Sequence, residues 1–301
     1  MIRKITAPLA GLFLFASPAL AQQAASATPA VQDADPAMWV VKDDDTTIYL
    51  FGTFHALKPG LSWFDDAVRQ AFDKSDTAVF EIDTSDTAAI QAAAMKYGIS
   101  KQAEPFTARM TAKQKATYEA ALQKLGVPPT ALDRMKPWLA GVTLTTLGVQ
   151  KAGFDPKQGA EATLVEAAKQ AGKRIDTLET ADQQLGFFDS LSEEEQIRFL
   201  VETAEEMDEP AAMLDRMIRY WAAGAPEELG KLINDELTAS PDLAKILLYD
   251  RNERWAHQIK AMLDKPGTVF IAVGAGHLAG PKDVQADLAK LGVKATRVDY
   301  D

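Results

Sequence analysis

The chain has 301 residues, a formal net charge of −11 and no cysteine. That length suits one large domain or two small ones, and the acidity argues against nucleic acid or an anionic membrane surface as partner. The lack of cysteine excludes a cysteine nucleophile, a thiolate-bound metal and a disulfide framework.

In chain order, Arg3 and Lys4 precede the apolar stretch 7–21, APLAGLFLFASPALA, which closes on Ala19-Leu20-Ala21. A basic start, a short apolar core and a small-x-small ending predict a secretory signal peptide cleaved after Ala21, and with it a periplasmic or secreted protein. Removing those two basic residues takes the charge from −11 to −13. No later stretch reaches the about 20 apolar residues a membrane span needs. Residues 22–37, QQAASATPAVQDADPA, carry no periodicity and read as a flexible leader, so the fold is expected over 38–301.

The segment 38–55, MWVVKDDDTTIYLFGTFH, has two strand-like runs around Asp43-Asp44-Asp45 and predicts an opening hairpin. Further strands are expected at 77–83, 173–179, 268–274 and 293–299. Helical spacing marks 111–125, 158–171, 209–223 and 241–263, and Ser192 with Glu195 forms a capping box ahead of Ile197, Leu200, Val201 and Ala204. Strands at both ends with helices between them predict a single α/β domain: a central sheet flanked by helices, with a helical insertion over about residues 86–172.

Two of the three histidines follow an apolar run and a glycine at the same spacing, Gly52-Thr-Phe-His55 and Gly274-Ala-Gly-His277. In open α/β sheets ligands gather at the carboxyl ends of the strands. His55, Glu81, Glu179 and His277 all fall at such ends. A glycine ahead of each histidine is expected to let the backbone turn out of its strand. Two imidazoles with a carboxylate suit a divalent metal with an open position for water. Without a metal, the same residues place a histidine base against a water, oriented by a carboxylate.

Plainer readings exist for each residue. A strand-end histidine or glutamate is commonly a loop residue making a local hydrogen bond, and a carboxylate there often caps the next helix. His257 shares a helix face with Asp250 and Arg254, a solvated charged stripe, and stands outside the candidate site. Arg251 and Asn252 fall either on the surface or on the inner side of that helix near Trp255, where an arginine holds a substrate carboxylate. A competing motif is Gly274-x-Gly276-x-x-Ala279 between the strand at 268–273 and a helix through Leu291, with Asp299 ending the next strand; this matches a dinucleotide-binding fingerprint. Against it, Pro281 sits where the phosphate-facing helix would begin, and the fingerprint leaves the first Gly-x-x-His unexplained.

The segments YLFGTFH, VFEID, LET at 178–180, RNERW at 251–255 and FIAVGAGHLAG, in that order between Met38 and Asp299, resemble the TraB/GumN family of exported bacterial proteins. That family is related to the Tiki proteins, proposed metal-dependent proteases with two Gly-x-x-His motifs, and more distantly to erythromycin esterase-like hydrolases, which use a histidine base and no metal. The resemblance implies a hydrolase of a peptide or small-molecule substrate. In it His55, Glu81 and His277 would be the ligands of a divalent metal (Mn, Co or Zn), and Glu179, Arg251 and Asn252 match further family positions. Glu179 is then the expected proton acceptor and Arg251 the group that steadies oxyanion charge or a substrate carboxylate. A protein that binds a peptide or signal without turnover is the reading from another class.

Overall fold

The computed structural model describes residues 31–207, 210–237 and 241–300; the expected signal peptide lies outside the described residues. The described residues form eight strands: β1 (Gln32–Asp33), β2 (Met38–Lys42), β3 (Thr46–Thr53), β4 (Leu61–Ser62), β5 (Thr77–Phe80), β6 (Arg174–Thr177), β7 (Gly267–Gly274) and β8 (Thr296–Arg297). Six of them form one sheet in the order β6-β5-β7-β3-β2-β8. Neighbours from β6 to β3 are parallel, while β2 pairs antiparallel with both β3 and β8.

The long central strands alternate their apolar side chains between two cores, as the two-residue period of a strand requires. Ile48, Leu50, Val79, Ile271 and Val273 face one side, with Trp255, Ile259 and Leu288 packed on them. Phe51, Phe80, Phe270 and Ala272 face the other, against Val68, Phe72, Leu164 and Trp221.

Helix α1 (Asp66–Lys74) precedes β5, and α2 (Thr87–Gly98), α3 (Ala112–Leu125), α4 (Pro137–Lys151) and α5 (Ala160–Gln170) separate β5 from β6. Between β6 and β7 come α6 (Ala181–Asp189), α7 (Glu193–Glu205), α8 (Pro210–Ala222), α9 (Pro226–Leu237), α10 (Pro241–Ala244) and α11 (Asp250–Met262), and α12 (Val284–Lys290) follows β7. A single π-helical turn, Lys245–Tyr249, joins α10 to α11. The expected capping box is formed at the start of α7, where Ser192 and Glu195 each satisfy the other's backbone N–H.

Three expectations are corrected. Residues 22–37 are not a free leader throughout. β1 pairs with β4, Ala34 is buried, Asp35 donates its N–H to Ala222 O and Pro36 accepts from the Tyr300 hydroxyl, so the ordered fold starts before Met38. The helical insertion at 86–172 does not form a layer of its own either. α4 packs on α7 and α2 on α6, so both stretches between strands build one helical layer around Trp138, Leu139, Phe188 and Phe199. The strand expected at 293–299 shortens to Thr296–Arg297, whose register partners are Val40 and Trp39. Among the described residues, no helix is long and apolar enough to cross a membrane.

Candidate functional site at the carboxyl edge of the sheet

Because β3, β7, β5 and β6 are parallel, their carboxyl ends share one edge. Thr53 stands level with Gly274, and Phe80 with both Ala272 and Thr177. The chains leave the sheet there, which delivers His55, Glu81, Glu179 and His277 to the same rim; Glu179 N–H even extends the pairing by donating to Glu81 O at 2.8 Å. Gly52 works differently from expectation. It remains in the strand opposite Val273, and a Cβ on it would lie 3.0 Å from Ala275 Cα and 3.2 Å from Ala275 Cβ. Its missing side chain lets one Gly-x-x-His segment close onto the other.

Helix α11 supplies the centre of the site. Arg251 and Asn252 are both fully buried, which places them on the inner side of the helix and off the surface. The Arg251 guanidinium donates from Nη2 to Glu81 Oε2 at 2.6 Å and from Nε to Glu179 Oε2 at 3.0 Å. Its Nη2 also lies 2.9 Å from Glu179 Oε2, and Nη1 reaches Leu247 O at 3.0 Å and His277 Nε2 at 3.2 Å. A guanidinium has five N–H groups, and these contacts engage all of them. The cation also stacks 4.6 Å from the Trp255 ring, a further stabilising contact for a buried charge.

The remaining bonds fix the protonation of the site. Arg251 only donates, so His277 Nε2 accepts; Nδ1 then carries the proton and donates to Asn252 Oδ1 at 2.6 Å. Asn252 is held in that orientation by donating Nδ2–H to Lys282 O at 2.7 Å. Burial first, and Arg251 second, hold the His277 pKa down at about 3, so the ring is neutral. Burial alone would raise the Glu81 carboxyl, but Arg251 above all, with His277, His55 and the Gly274 N–H, brings it down to about 2. Glu81 Oε1 accepts from Gly274 N–H at 2.7 Å and Oε2 also accepts from Gln184 Nε2 at 2.9 Å, so the carboxylate is enclosed by donors. The first helical turn after Thr180 brings Gln184 there, its own cap being a reciprocal Thr180–Gln183 box.

His55 sits in a different setting. Its Nδ1 lies 2.7 Å from Glu161 Oε2, the His55 side chain being 13% exposed and that of Glu161 4%. Its Nε2 is buried and has no hydrogen-bond partner. Glu161 is in the first turn of α5, where the exposed N–H groups of a helix favour a negative charge. Gly159 makes the approach possible: a Cβ there would come within 2.2 Å of His55 O, and Ala160 N–H donates to Phe54 O at 2.8 Å. Burial opposes a charge on His55, but the Glu161 carboxylate, helped by Glu81, outweighs it and raises the pKa.

Glu81, Glu179, Arg251, Asn252 and His277 are thus linked by direct contacts, while His55 touches Glu161 and feels Glu81 and Arg251 only through space; Glu161 and Gln184 take part without having been anticipated. His257 is exposed. The dinucleotide fingerprint does not build its βαβ unit. Gly274 leads into a short 3-10 turn over Ala275–Leu278, the helix starts only at Val284, and β8 lies antiparallel to β2 with no pairing to β7. Among the described residues, the group whose ligand atoms gather within 4.8 Å of one another as in a metal site is Asp33, Asp35 and Asp66, not His55, Glu81 and His277.

No solved structure matches the chain. The protein described as "Uncharacterized protein YbaP" in Escherichia coli (strain K12) is 25% identical over 251 residues, covering 81% of this chain and 89% of that protein, and its namesake in Shigella flexneri matches to the same extent. Residues 37–297 match the profile of the TraB/PrgY/gumN family. That span takes in the whole six-stranded sheet and every residue at its carboxyl rim: the chain belongs to the TraB/PrgY/gumN family.

Proposed function

We propose that the chain is a hydrolase of peptide or ester bonds in which His55 is the general base and Glu161 orients it. The observation that carries this reading is the His55 ring itself, with Nδ1 held 2.7 Å from a buried carboxylate and Nε2 buried without a partner. A carboxylate on Nδ1 keeps the proton there and leaves the Nε2 lone pair to take one from water. In that step the water oxygen bonds to the carbonyl carbon while its proton moves to Nε2. As the bond to the leaving nitrogen or oxygen breaks, the imidazolium returns the proton to it.

Glu81, Glu179, Arg251, Asn252 and His277 then form the frame behind the base. Arg251 has every N–H engaged, so its part is to hold two carboxylates and a neutral imidazole in place, and not to grip a substrate. A divalent metal on His55, Glu81 and His277 fits this donor set poorly. Glu81 is already enclosed by Arg251, Gln184 and the Gly274 N–H, His277 uses both ring nitrogens, and the cation between them is a guanidinium. Export through the signal at 1–21 would put the activity outside the cytoplasm.

The test is hydrolysis of a mixed pool of internally quenched peptides and of simple aryl esters, with and without chelator and with added Mn²⁺, Co²⁺ or Zn²⁺. Turnover that survives chelation and is lost in His55→Ala is expected. Turnover that appears only with metal would replace this reading with a metal-dependent one. Saturable binding of peptides without any turnover would make the chain a binding protein.

A further inference from the structure

We propose that β6 is a self-association edge, across which two copies of this chain pair antiparallel about Ile175 and join their sheets. β6 is the last strand of the sheet on its side. In a parallel pair, alternate residues turn their N–H and C=O toward the neighbour and the others turn them away. Arg174 N–H donates to Asp76 O at 3.2 Å and Leu178 N–H to Phe80 O at 2.9 Å, so 174, 176 and 178 face β5. Ile175 and Thr177 therefore point their backbone groups outward. Thr177 N–H is covered by the Asp176 carboxylate at 2.8 Å, which leaves Ile175 as the open rung of the ladder.

The side chains are self-complementary about that rung. With Ile175 opposite its own copy, Arg174 of one chain stands opposite Asp176 of the other, and a two-fold axis repeats the pair. Arg174 and Asp176 are both exposed, and both lie on the face opposite Ile175, which packs against the Phe51–Phe80 core. An opposite-charge pair directly across an antiparallel ladder is attractive, and a like-charge pair is repulsive. Unpaired strand edges recruit partners unless something blocks them. Here the charges that would block a foreign strand suit a second copy in this single register. Two four-residue edges make a small contact, below the about 1,200 Å² of a standard interface, so the association belongs to the weak, reversible class.

The experiment is sedimentation velocity of the full chain over a wide concentration range, with Arg174→Asp, Asp176→Arg and the combined swap. Wild type is expected to pass reversibly from monomer to dimer, and either single reversal to raise the dissociation constant about tenfold or more. The double swap restores it, because each charge again meets its opposite. Thermal unfolding of each variant confirms that the fold is kept. A wild type that stays monomeric at all concentrations would overturn the proposal, as would self-association indifferent to the single reversals or a double swap that fails to recover it.

Discussion

Two segments of one pattern, Gly52-to-His55 and Gly274-to-His277, lie side by side on neighbouring strands and put their histidines in opposite states. His55 meets a lone carboxylate, Glu161, and its pKa rises. His277 meets a guanidinium and an amide, with Trp255 4.3 Å from its ring, and its pKa falls to about 3. One ring has its charged form favoured by a neighbouring carboxylate and the other is held neutral. The lesson is that spacing in a sequence places a histidine, while its neighbours in space decide its chemistry.

The comparison can be broken most forcefully at His55. On the proposed mechanism, His55→Ala lowers kcat/KM about 100- to 10,000-fold and, because it leaves the buried Glu161 carboxylate without its partner, also lowers the unfolding temperature; a folded variant with normal turnover would end its role as the base. Arg251→Met attacks the other side. It leaves Glu81 and Glu179 buried without their cation, and urea unfolding is expected to show a loss of about 3–5 kcal/mol. A loss below about 1 kcal/mol, the range of exposed pairs, would mean the network is not what holds the rim together.

Acid sharpens the contrast. His277 has its pKa depressed from 6.5 to about 3, so below 6.5 the unfolded chain binds a proton that the fold refuses. Its contribution to stability is whole above pH 6.5 and drains away as the pH falls toward 3. Glu81, depressed from 4.5 to about 2, adds a second loss as the pH falls below 4.5. Calorimetric scans across that range should show a falling midpoint in wild type, with a flatter slope in His277→Gln if that variant remains folded. A smaller effect is expected of Glu161→Gln. Without the carboxylate charge the His55 pKa drops back, so the acid limb of the activity profile moves to lower pH while the plateau falls about tenfold; an unmoved limb would dissociate Glu161 from the base. His257→Ala, on the exposed stripe, should leave both turnover and stability within about 0.5 kcal/mol of wild type.

Much of the rim was readable in advance because it depends on local pattern. β-branched and aromatic runs within 38–55 and at 268–274 mark strands, and parallel strands must end at one edge, which carries Glu81 and Glu179 with the histidines. Arg251 and Asn252 were ambiguous, since the position of a charged residue on a helix face cannot be read until the opposing surface is known. Glu161 was invisible: its link to His55 spans more than a hundred residues and depends on a backbone contact at Gly159 that no periodicity records. Asp299 could complete the competing fingerprint, already disfavoured by Pro281, only because a short edge strand that returns antiparallel looks the same in sequence as one that continues parallel.

The π turn at Lys245–Tyr249 bears on how far this chain tolerates change in length. Along α10 to α11 the buried residues recur every fourth position, as Leu243, Leu247, Arg251, Trp255 and Ile259, and beside them as Ala244, Leu248, Asn252 and Ala256. An α-helix repeats every 3.6 residues, so a four-residue repeat drifts about 40° at each step. The wider π turn absorbs part of that drift by holding one extra residue. Deleting a single residue between 245 and 249 would let the helix relax to ordinary α geometry with little net rotation beyond it, because four α residues turn through about the same angle as the five of the wider π turn. Arg251 would still face the rim, so this short stretch is a place where the chain can lose one residue without losing the site, whereas a deletion farther along, within Asp250–Met262, would turn the residues beyond it by about 100°.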